Sequence, residues 1–203
     1  MSSPSQTHRR GGTARVLRII GGAWRGRRLR FPAASAIRPT PDRVRETLFN
    51  WLAPAVHGAR CLDLFAGSGA LGLEALSRGA AHVTFVERDR RSARAIEECL
   101  AQWDVERRHD WRVVGADAEV FLAGPAQPFD IVFLDPPFAS GVLAAVSARL
   151  EAGGWLAGAA RIYLECPAGQ HPQVPAAWAH ERDKRSGQVG YHLYSRHRGI
   201  AAE

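Results

Sequence analysis

Short apolar segments alternate with helical segments along most of this chain, and this alternation limits the folds it can adopt. Apolar runs predict strands at 60–65, 82–87, 111–114, 130–134 and 161–166, and helical spacing predicts helices at about 70–78, 90–102 and 141–151. A repeated strand–helix–strand order is typical of a doubly wound parallel sheet. Two final strands, at 178–184 and 189–196, flank a Ser-Gly turn and predict an antiparallel pair. The sequence therefore predicts an α/β fold, mostly parallel with an antiparallel last strand.

A different pattern precedes this alternation. Residues 1–14 predict a disordered basic tail, and the apolar run at 16–20, followed by a glycine- and arginine-rich stretch to residue 31, predicts a small β-hairpin. A helix is predicted from Thr40 to near Pro54, because Val44, Leu48 and Leu52 recur at helical spacing. We therefore divide the chain into the tail, an N-terminal extension at 15–58 and an α/β domain at 59–203.

The net charge of +7 is concentrated in the N-terminal part of the chain. The first 60 residues hold 12 arginines against Asp42 and Glu46, whereas residues 61–203 hold 15 basic and 18 acidic residues. Arginine pairs bidentately with phosphate and stacks on bases, so the asymmetry favours a polyanion-binding extension over a merely solvated tail. A transit peptide is disfavoured because paired glycines interrupt any amphipathic helix in this stretch.

Composition disfavours several other classes of protein. No apolar run approaches the roughly 18 residues of a membrane span, and the polar first residues lack the apolar core of a signal peptide. Cys61, Cys99 and Cys166 form no CxxC pair, and the eight histidines show no metal-ligand spacing. We therefore expect a cytoplasmic protein with reduced cysteines, no membrane segment and no bound metal.

A glycine-rich loop follows the first strand of the α/β part. It runs from Asp63 through Gly67, Gly69 and Gly72, and Glu87 closes the next strand 20 residues after Gly67. The pattern matches the dinucleotide fingerprint, in which the acid binds ribose hydroxyls. Asp63 would repel the pyrophosphate of a nicotinamide dinucleotide but attract the sulfonium and α-ammonium cations of S-adenosylmethionine, which we therefore favour. The alternative is that Asp63 only caps the loop, which leaves the cofactor open.

The fourth predicted strand of the α/β part ends in Asp135-Pro136-Pro137-Phe138. Two prolines stop a strand and hold an extended turn. This places Asp135 and the carbonyl of Pro136 at the carboxyl end of the sheet, where open α/β folds bind ligands. The alternative is a strand terminator with an exposed aromatic ring, but the glycine loop upstream in the same sheet favours a functional element.

The glycine loop followed by DPPF resembles class I methyltransferases, which alkylate adenine N6, cytosine N4, guanine N2 or a glutamine side-chain amide. A closer resemblance is to the RsmD family of bacterial 16S rRNA guanine-N2 methyltransferases. It rests on RIIGGAWRGRRL at 18–29, RPTPDRVRETLFNWL at 38–52, CLDLFAGSGALGLEALSRGA at 61–80, DPPF at 135–138, GGWL at 153–156 and GQVGYHLY at 187–194. The resemblance implies a class I (Rossmann-like) methyltransferase domain with a small basic hairpin-and-helix extension. It also implies a monomeric enzyme that uses S-adenosylmethionine on 16S rRNA of the small ribosomal subunit.

The same resemblance implies roles for individual residues. The residues that match the cofactor site are Asp63, Phe65, Gly67, Gly69, Glu87, Arg88 and Asp117. The catalytic element is Asp135, Pro136, Pro137 and Phe138, in which the Asp135 carboxylate and the Pro136 carbonyl accept amine N–H bonds and Phe138 stacks on the base. Separately from the resemblance, arginines interleaved with an aromatic side chain are typical of an RNA-binding surface, and the RNA contacts predicted on this ground are Arg18, Trp24, Arg25, Arg27, Arg28, Arg30, Arg38 and Arg43.

Three alternatives stay open at the level of sequence. Another exocyclic-amine methyltransferase, acting on DNA adenine or a protein glutamine, would share the same core motifs. A nicotinamide-dependent oxidoreductase fits the glycine loop but leaves Asp63 and Asp135 without a purpose. A non-catalytic RNA-binding factor of ribosome assembly would explain the arginines alone.

Overall fold

A computed structural model of the chain describes residues 15–31, 40–104, 108–138 and 141–197. The tail predicted at 1–14 and the predicted RNA contact Arg38 lie outside these residues. The strands are β1 (Arg15–Arg18), β2 (Arg28–Phe31), β3 (Arg60–Asp63), β4 (His82–Val86), β5 (Asp110–Val114), β6 (Phe129–Leu134), β7 (Leu156–Pro167), β8 (Trp178–Ser186) and β9 (Val189–Arg196). The helices are α1 (Asp42–Trp51), α2 (Ala53–Val56), α3 (Ala70–Ser77), α4 (Arg90–Trp103), α5 (Ala118–Leu122) and α6 (Leu143–Ala152). Within the described ranges, no helix is long and apolar enough to cross a bilayer.

Seven strands form one sheet in the order β5-β4-β3-β6-β7-β9-β8. The first five in this order run parallel, β9 is antiparallel to β7, and β8 is antiparallel to β9. The chain proceeds outward from β3 to β5 and then crosses back to β6, so the strand order reverses between β3 and β6. Open α/β sheets bind ligands at such a reversal. The predicted α/β sheet, mostly parallel with an antiparallel last strand, is confirmed.

The element bounds differ from the predicted ones where local signals are weak. β3 ends at Asp63 rather than at residue 65, because the next two residues already turn into the glycine loop. β7 begins at residue 156 rather than 161, because its first residues are mostly alanine and glycine, which carry little strand signal. α5 was not predicted, since five residues are too few to show a helical period.

The predicted N-terminal hairpin is formed by β1 and β2. Its register pairs Arg18 with Arg28 and Leu17 with Leu29, which puts basic side chains on one face and apolar side chains on the other. Leu17 and Leu29 are buried in the same cluster as residues of α1, α3 and the large sheet. The apolar core of the extension is therefore continuous with that of the α/β part.

A buried carboxylate on α3 fixes the hairpin to the sheet. The Glu74 carboxylate accepts hydrogen bonds from the backbone N–H groups of Ile20 and Gly21 at 2.9 and 2.8 Å. It also pairs with the fully buried Arg45 at 3.6 Å and with Arg78 at 2.8 Å. Arg45 also pairs with Asp42 at 2.6 Å, so it is an internal residue held between two carboxylates.

Candidate active site

Acidic side chains lie at the carboxyl ends of four adjacent parallel strands. Asp63 ends β3, Glu87 follows β4 and Asp135 follows β6. Asp117 follows β5 and caps α5, where its Oδ1 accepts a hydrogen bond from the Glu119 N–H at 2.9 Å. Because β5, β4, β3 and β6 are consecutive in the sheet, the four predicted acids share one edge of it.

The glycine loop is tied to the end of β4 through Glu87. Gly67 and Gly69 have φ angles of 54° and 75°, in the left-handed region that favours glycine. The N–H of Gly67 donates to Glu87 Oε2 at 2.7 Å, and the N–H of Asp89 donates to Oε1 at 2.7 Å. Each carboxylate oxygen has a second lone pair, so Glu87 can hold the loop and still accept hydrogen bonds from ribose hydroxyls.

The helix that follows the loop packs closely on the sheet. A Cβ at Gly72 would overlap the ring of Phe85 on β4, so only glycine permits this approach of α3. Phe65 is half-buried in the loop and packs against the core on the other side of the sheet. Arg88 is exposed directly after Glu87. These positions leave the predicted cofactor residues grouped around the loop.

Asp63 is a buried carboxylate at the start of this loop. It is 2% exposed, and its Oδ2 accepts the N–H of Gly72 at 2.9 Å. Burial raises the pKa of Asp63 to about 7; the Gly72 hydrogen bond opposes this rise and the charge of Glu87 adds to it. Among the salt bridges that the described residues form, none includes Asp63. Such a carboxylate suits a cationic ligand, whose charge would favour the ionised form.

The Asp135-Pro136-Pro137-Phe138 segment leaves β6 at the same edge of the sheet. Pro136 is buried, Pro137 is exposed, and the Phe138 side chain is 45% exposed, which is unusual for a large apolar residue in this protein. An exposed ring beside a polar site is the arrangement that base stacking requires.

The surroundings of Asp135 disfavour the ionised form of its carboxyl group. Burial, followed by the charges of Glu165 and Asp63, raises the pKa of Asp135 well above its ordinary value. The Thr40 hydroxyl donates to Asp135 Oδ2 at 3.5 Å and opposes this rise. Three carboxyl groups from three adjacent strands therefore influence one another at this edge of the sheet.

Glu165 and its neighbours are site residues that the sequence analysis missed. Glu165 lies on β7, next to β6, and is 5% exposed. The hydroxyl of Tyr163 donates to Glu165 Oε1 at 2.7 Å, and the Thr40 hydroxyl, which donates to Asp135, also lies near Glu165. An acid inside the apolar segment RIYLEC was the available signal for Glu165. Thr40 has no such signal, since it lies 95 residues before Asp135.

The predicted basic surface is largely exposed on the hairpin. Arg25, Arg27, Arg28, Arg30 and Arg43 are exposed, and Arg18 pairs with Asp42 at 3.2 Å while its side chain stays 57% exposed. Arg27 is also held in place, because its guanidinium donates to the Trp103 carbonyl at 2.9 Å and lies over the ring of Trp103. The exposed arginines form a surface that is able to meet phosphates.

Trp24 departs from the prediction of an RNA contact. Its side chain is 4% exposed and packs edge-on against Trp103 and tilted against His109, with ring centroids 5.8 and 4.8 Å apart. Its backbone N–H donates to the Ser77 hydroxyl at 2.9 Å. Trp24 therefore fixes the hairpin turn on the α/β part, and its ring is not available to stack on a base.

Comparison with known proteins covers nearly the whole chain. A family model described as conserved hypothetical protein 95 matches residues 17–195. The ribosomal RNA small subunit methyltransferase D of Escherichia coli is 52% identical over 181 residues, which cover 89% of this chain and 90% of that protein.

Solved structures of methyltransferases are also similar to this chain. The structure of the Escherichia coli protein yhhF is 52% identical with a TM-score of 0.81, covering 90% of this chain and 98% of that one. A 16S rRNA N2 guanine methyltransferase from Thermus thermophilus, solved with S-adenosylmethionine and guanosine, is 23% identical with a TM-score of 0.61. The match covers 92% of this chain and 50% of that one, and it shows a shared fold. With matches of this length and identity, the chain belongs to the RsmD family of small-subunit ribosomal RNA methyltransferases.

Proposed function

We propose that this protein transfers a methyl group from S-adenosylmethionine to the exocyclic N2 amine of a guanine in 16S rRNA of the small ribosomal subunit. The observation that carries the proposal is the meeting of Asp135 and its Pro-Pro-Phe segment with the Asp63 loop at one sheet edge, in a chain of this family. An acceptor for amine hydrogens and a carboxylate for a cationic cofactor are both needed for this reaction, and they lie side by side.

The residues around the glycine loop fit S-adenosylmethionine. Asp63 is a buried carboxylate without a salt-bridge partner among the described residues, so a sulfonium or α-ammonium cation would supply the missing charge. We assign the loop of Gly67 and Gly69 to the methionine part and Glu87 to the ribose hydroxyls. Phe65, Arg88 and Asp117 complete the proposed cofactor contacts. When bound, S-adenosylmethionine supplies an electrophilic methyl group.

The chemical difficulty lies in the acceptor, because the exocyclic amine of guanine shares its lone pair with the ring. Hydrogen bonds from the two N–H groups to the Asp135 carboxylate and the Pro136 carbonyl would localise that lone pair and aim it at the methyl carbon. The new N–C bond forms as the C–S bond breaks, and the nitrogen then gives up a proton. Asp135 is suited to take it, since its raised pKa makes it a stronger base than an ordinary carboxylate. Phe138 would hold the base by stacking.

We assign the contact with rRNA to the exposed arginines of the hairpin and α1. Arg18, Arg28 and Arg30 lie on one face of the hairpin, and Arg25, Arg27 and Arg43 flank it. Arg38 remains a proposed contact outside the described residues. We further propose that the protein acts in the cytoplasm as a monomer without a metal, since one chain supplies every residue of the proposed site and the sulfonium already activates the methyl group.

Methyl transfer to small subunits lacking the modification tests the proposal directly. Incubation with tritiated S-adenosylmethionine, followed by digestion of the rRNA to nucleosides, should place the label in N2-methylguanosine. Asp135→Ala should abolish this label while S-adenosylmethionine still binds by calorimetry. Asp130→Ala is the matched control, because Asp130 lies at the other, exposed end of β6. Label in methyladenosine or in protein, or full activity of Asp135→Ala, would contradict the assignment.

A further inference from the structure

A pocket lies beside Asp135 and has room for a ligand. Its volume is about 310 Å³, at the lower end of the range of small-molecule sites. Its lining includes Pro136, Pro137, Phe138, Glu165, Cys166 and Gln170. Among the described lining residues, Glu165 is the only acid. The ring of Phe138, the Pro136-Pro137 segment and the Glu165 carboxyl group therefore line one pocket.

Glu165 is held as a hydrogen-bond acceptor. Tyr163, which is fully buried, donates its hydroxyl hydrogen to Glu165 Oε1 at 2.7 Å. The hydroxyl of Thr40 has one hydrogen, which it donates to Asp135 Oδ2 at 3.5 Å, and the same hydroxyl also lies near Glu165. Glu165 thus lines the pocket, and Asp135 directly precedes the lining residue Pro136, with fewer protein donors near the two carboxyl groups than acceptor positions. A ligand that brings several N–H donors in a row would satisfy them.

The substrates of exocyclic-nitrogen methylation differ at the atom next to the reacting nitrogen. Adenine N6 lies beside the ring acceptor N1, cytosine N4 beside the acceptor N3, and a glutamine amide beside its carbonyl oxygen. Only guanine has a donor there, because the protonated ring nitrogen N1 adjoins the N2 amine. In its ionised form the Glu165 carboxyl group next to Asp135 only accepts hydrogen bonds, so it is complementary to guanine and repels the edges of the other three.

We propose that Glu165 is a specificity-determining residue whose carboxylate accepts the N1–H of guanine while Asp135 accepts an N–H of the neighbouring N2 amine. The proposal rests on the proposed function and extends it to the choice of base, which the Asp-Pro-Pro-Phe segment alone does not determine. Tyr163 and Thr40 act as positioning residues, since they orient the two carboxylates and leave the pocket side to the substrate.

Glu165→Gln is the informative substitution because it changes one acceptor into a donor without changing size. The Tyr163 hydroxyl would still find the amide oxygen, which turns the amide NH₂ toward the base. A donor then faces the N1–H of guanine, whereas it would match the unprotonated N1 of 2-aminopurine. We expect kcat/KM for guanine to fall roughly 10- to 100-fold, the effect of losing one hydrogen bond to a charged group.

The experiment is a two-by-two comparison of enzyme and base. Small-subunit rRNA is ligated with either guanine or 2-aminopurine at the nucleotide that the wild-type enzyme methylates, and kcat/KM is measured for each. 2-Aminopurine keeps the N2 amine but has no hydrogen on N1. The wild type should prefer guanine, and Glu165→Gln should reduce this preference at least about tenfold. 2-Aminopurine also lacks the O6 atom of guanine. The effect of this atom on kcat/KM cancels, because both enzymes are compared on the same two bases.

Three controls separate specificity from damage to the fold. Glu165→Asp keeps an acceptor, so it should retain the preference for guanine even if its rate falls. Glu181→Gln on β8 is the matched exchange of a carboxylate that faces Arg161 instead of the pocket, and it should match the wild type. S-Adenosylmethionine affinity should be unchanged in all three variants.

The outcomes also distinguish this inference from the proposed function. If the wild type transfers no methyl group to guanine N2, the proposed function fails. If the wild type does so, and the ratio of kcat/KM for guanine to kcat/KM for 2-aminopurine is the same in Glu165→Gln as in the wild type, the inference is overturned. This holds even if both rates are lower in the variant.

Discussion

The buried carboxyl group of Asp63 should favour binding of a cationic cofactor and, when ionised, lower the stability of the ligand-free protein. Its carboxylate must be ionised to attract a cationic cofactor, yet burial holds its pKa at about 7. Below that pH, binding has to release a proton. We therefore expect the dissociation constant of S-adenosylmethionine to rise about tenfold per pH unit below pH 7 and to level off above it. Calorimetry in buffers of different ionisation enthalpy would measure both the affinity and the proton released; a flat affinity over this range would exclude the role assigned to Asp63.

The same carboxyl group should lower the stability of the ligand-free protein at alkaline pH. Its folded pKa of about 7 lies above its ordinary value of 3.8, so its contribution to stability is complete below about pH 4 and is lost as the pH rises to about 7. The loss is at most about 4 kcal/mol. Asp63→Asn keeps an oxygen for the Gly72 N–H and removes the charge. It should therefore increase the free energy of unfolding more at pH 8 than at pH 5, and abolish cofactor binding.

Urea denaturation at the two pH values measures this difference. Asp130→Asn is the matched control, since the exposed Asp130 also accepts a backbone N–H, from Arg60 at 2.9 Å. If Asp63→Asn increases the free energy of unfolding equally at both pH values, the ionised Asp63 carboxylate does not cause the loss of stability.

The predictable site residues are those whose partners are close in sequence. Asp63 and Gly67 lie in one short loop, and Asp135 is marked by the prolines that follow it, so local turn chemistry identifies them. Glu165 reaches Asp135 only because β7 happens to pair with β6, and Thr40 reaches it from outside the sheet. Such contacts are properties of strand order, which single-sequence patterns do not specify.

At the scale of elements, sequence reasoning found the hairpin and most strands but misjudged how the hairpin is attached. Trp24 was predicted to contact RNA, whereas its side chain is buried against the α/β part of the protein. Ser77, which accepts the Trp24 N–H, and Glu74, which accepts the Gly21 N–H, each lie 53 residues further along the chain, so no local pattern reveals these contacts. Removal of the hairpin would consequently expose apolar core residues of the α/β part. A loss of RNA binding in such a variant could then result from unfolding.

Glu74 on α3 should be the main anchor of the hairpin. Glu74→Ala would leave the buried Arg45 with Asp42 as its one carboxylate partner in the described residues, and would remove the acceptor of the N–H groups of Ile20 and Gly21 and of Arg78. We expect the free energy of unfolding to fall by about 3 to 5 kcal/mol, with faster tryptic cleavage within the hairpin. Chemical denaturation and limited proteolysis measure these two effects.

A second glutamate provides the control for Glu74. Glu98 on α4 also pairs with an arginine, Arg94 at 2.8 Å, but both side chains are mostly exposed. Glu98→Ala should therefore change stability by less than about 1 kcal/mol. Similar losses for the two variants would mean that Glu74 does not anchor the hairpin.

At the scale of the whole molecule, the two parts of the chain differ in surface charge while sharing one core. The N-terminal 60 residues hold 12 arginines against two acids, whereas the rest of the chain holds more acidic than basic residues, but the apolar side chains of the N-terminal part are packed with those of the sheet. The charge asymmetry was evident from the sequence, and the shared core required the tertiary structure. We therefore expect the proposed roles in RNA binding and cofactor binding to be separable by surface substitutions and not by truncation.

Replacement of three hairpin arginines should weaken RNA binding without affecting the fold. Arg25, Arg28 and Arg30 are exposed, and none of them forms a salt bridge among the described residues, so Arg→Gln at all three should leave unfolding and S-adenosylmethionine affinity unchanged. If each meets one phosphate, the slope of log affinity for small-subunit rRNA against log salt concentration should become shallower by about 2 units.

The control for this triple variant removes the same charge elsewhere on the protein. Glutamine at Arg182, Lys184 and Arg185, which are exposed on β8 at the far edge of the sheet, changes the net charge equally. General attraction between a basic protein and RNA would make the two triple variants equivalent. A local contact surface on the hairpin predicts instead that only the hairpin variant changes the salt slope and raises KM for the small subunit. Equal slopes for both variants would therefore place the rRNA contact elsewhere.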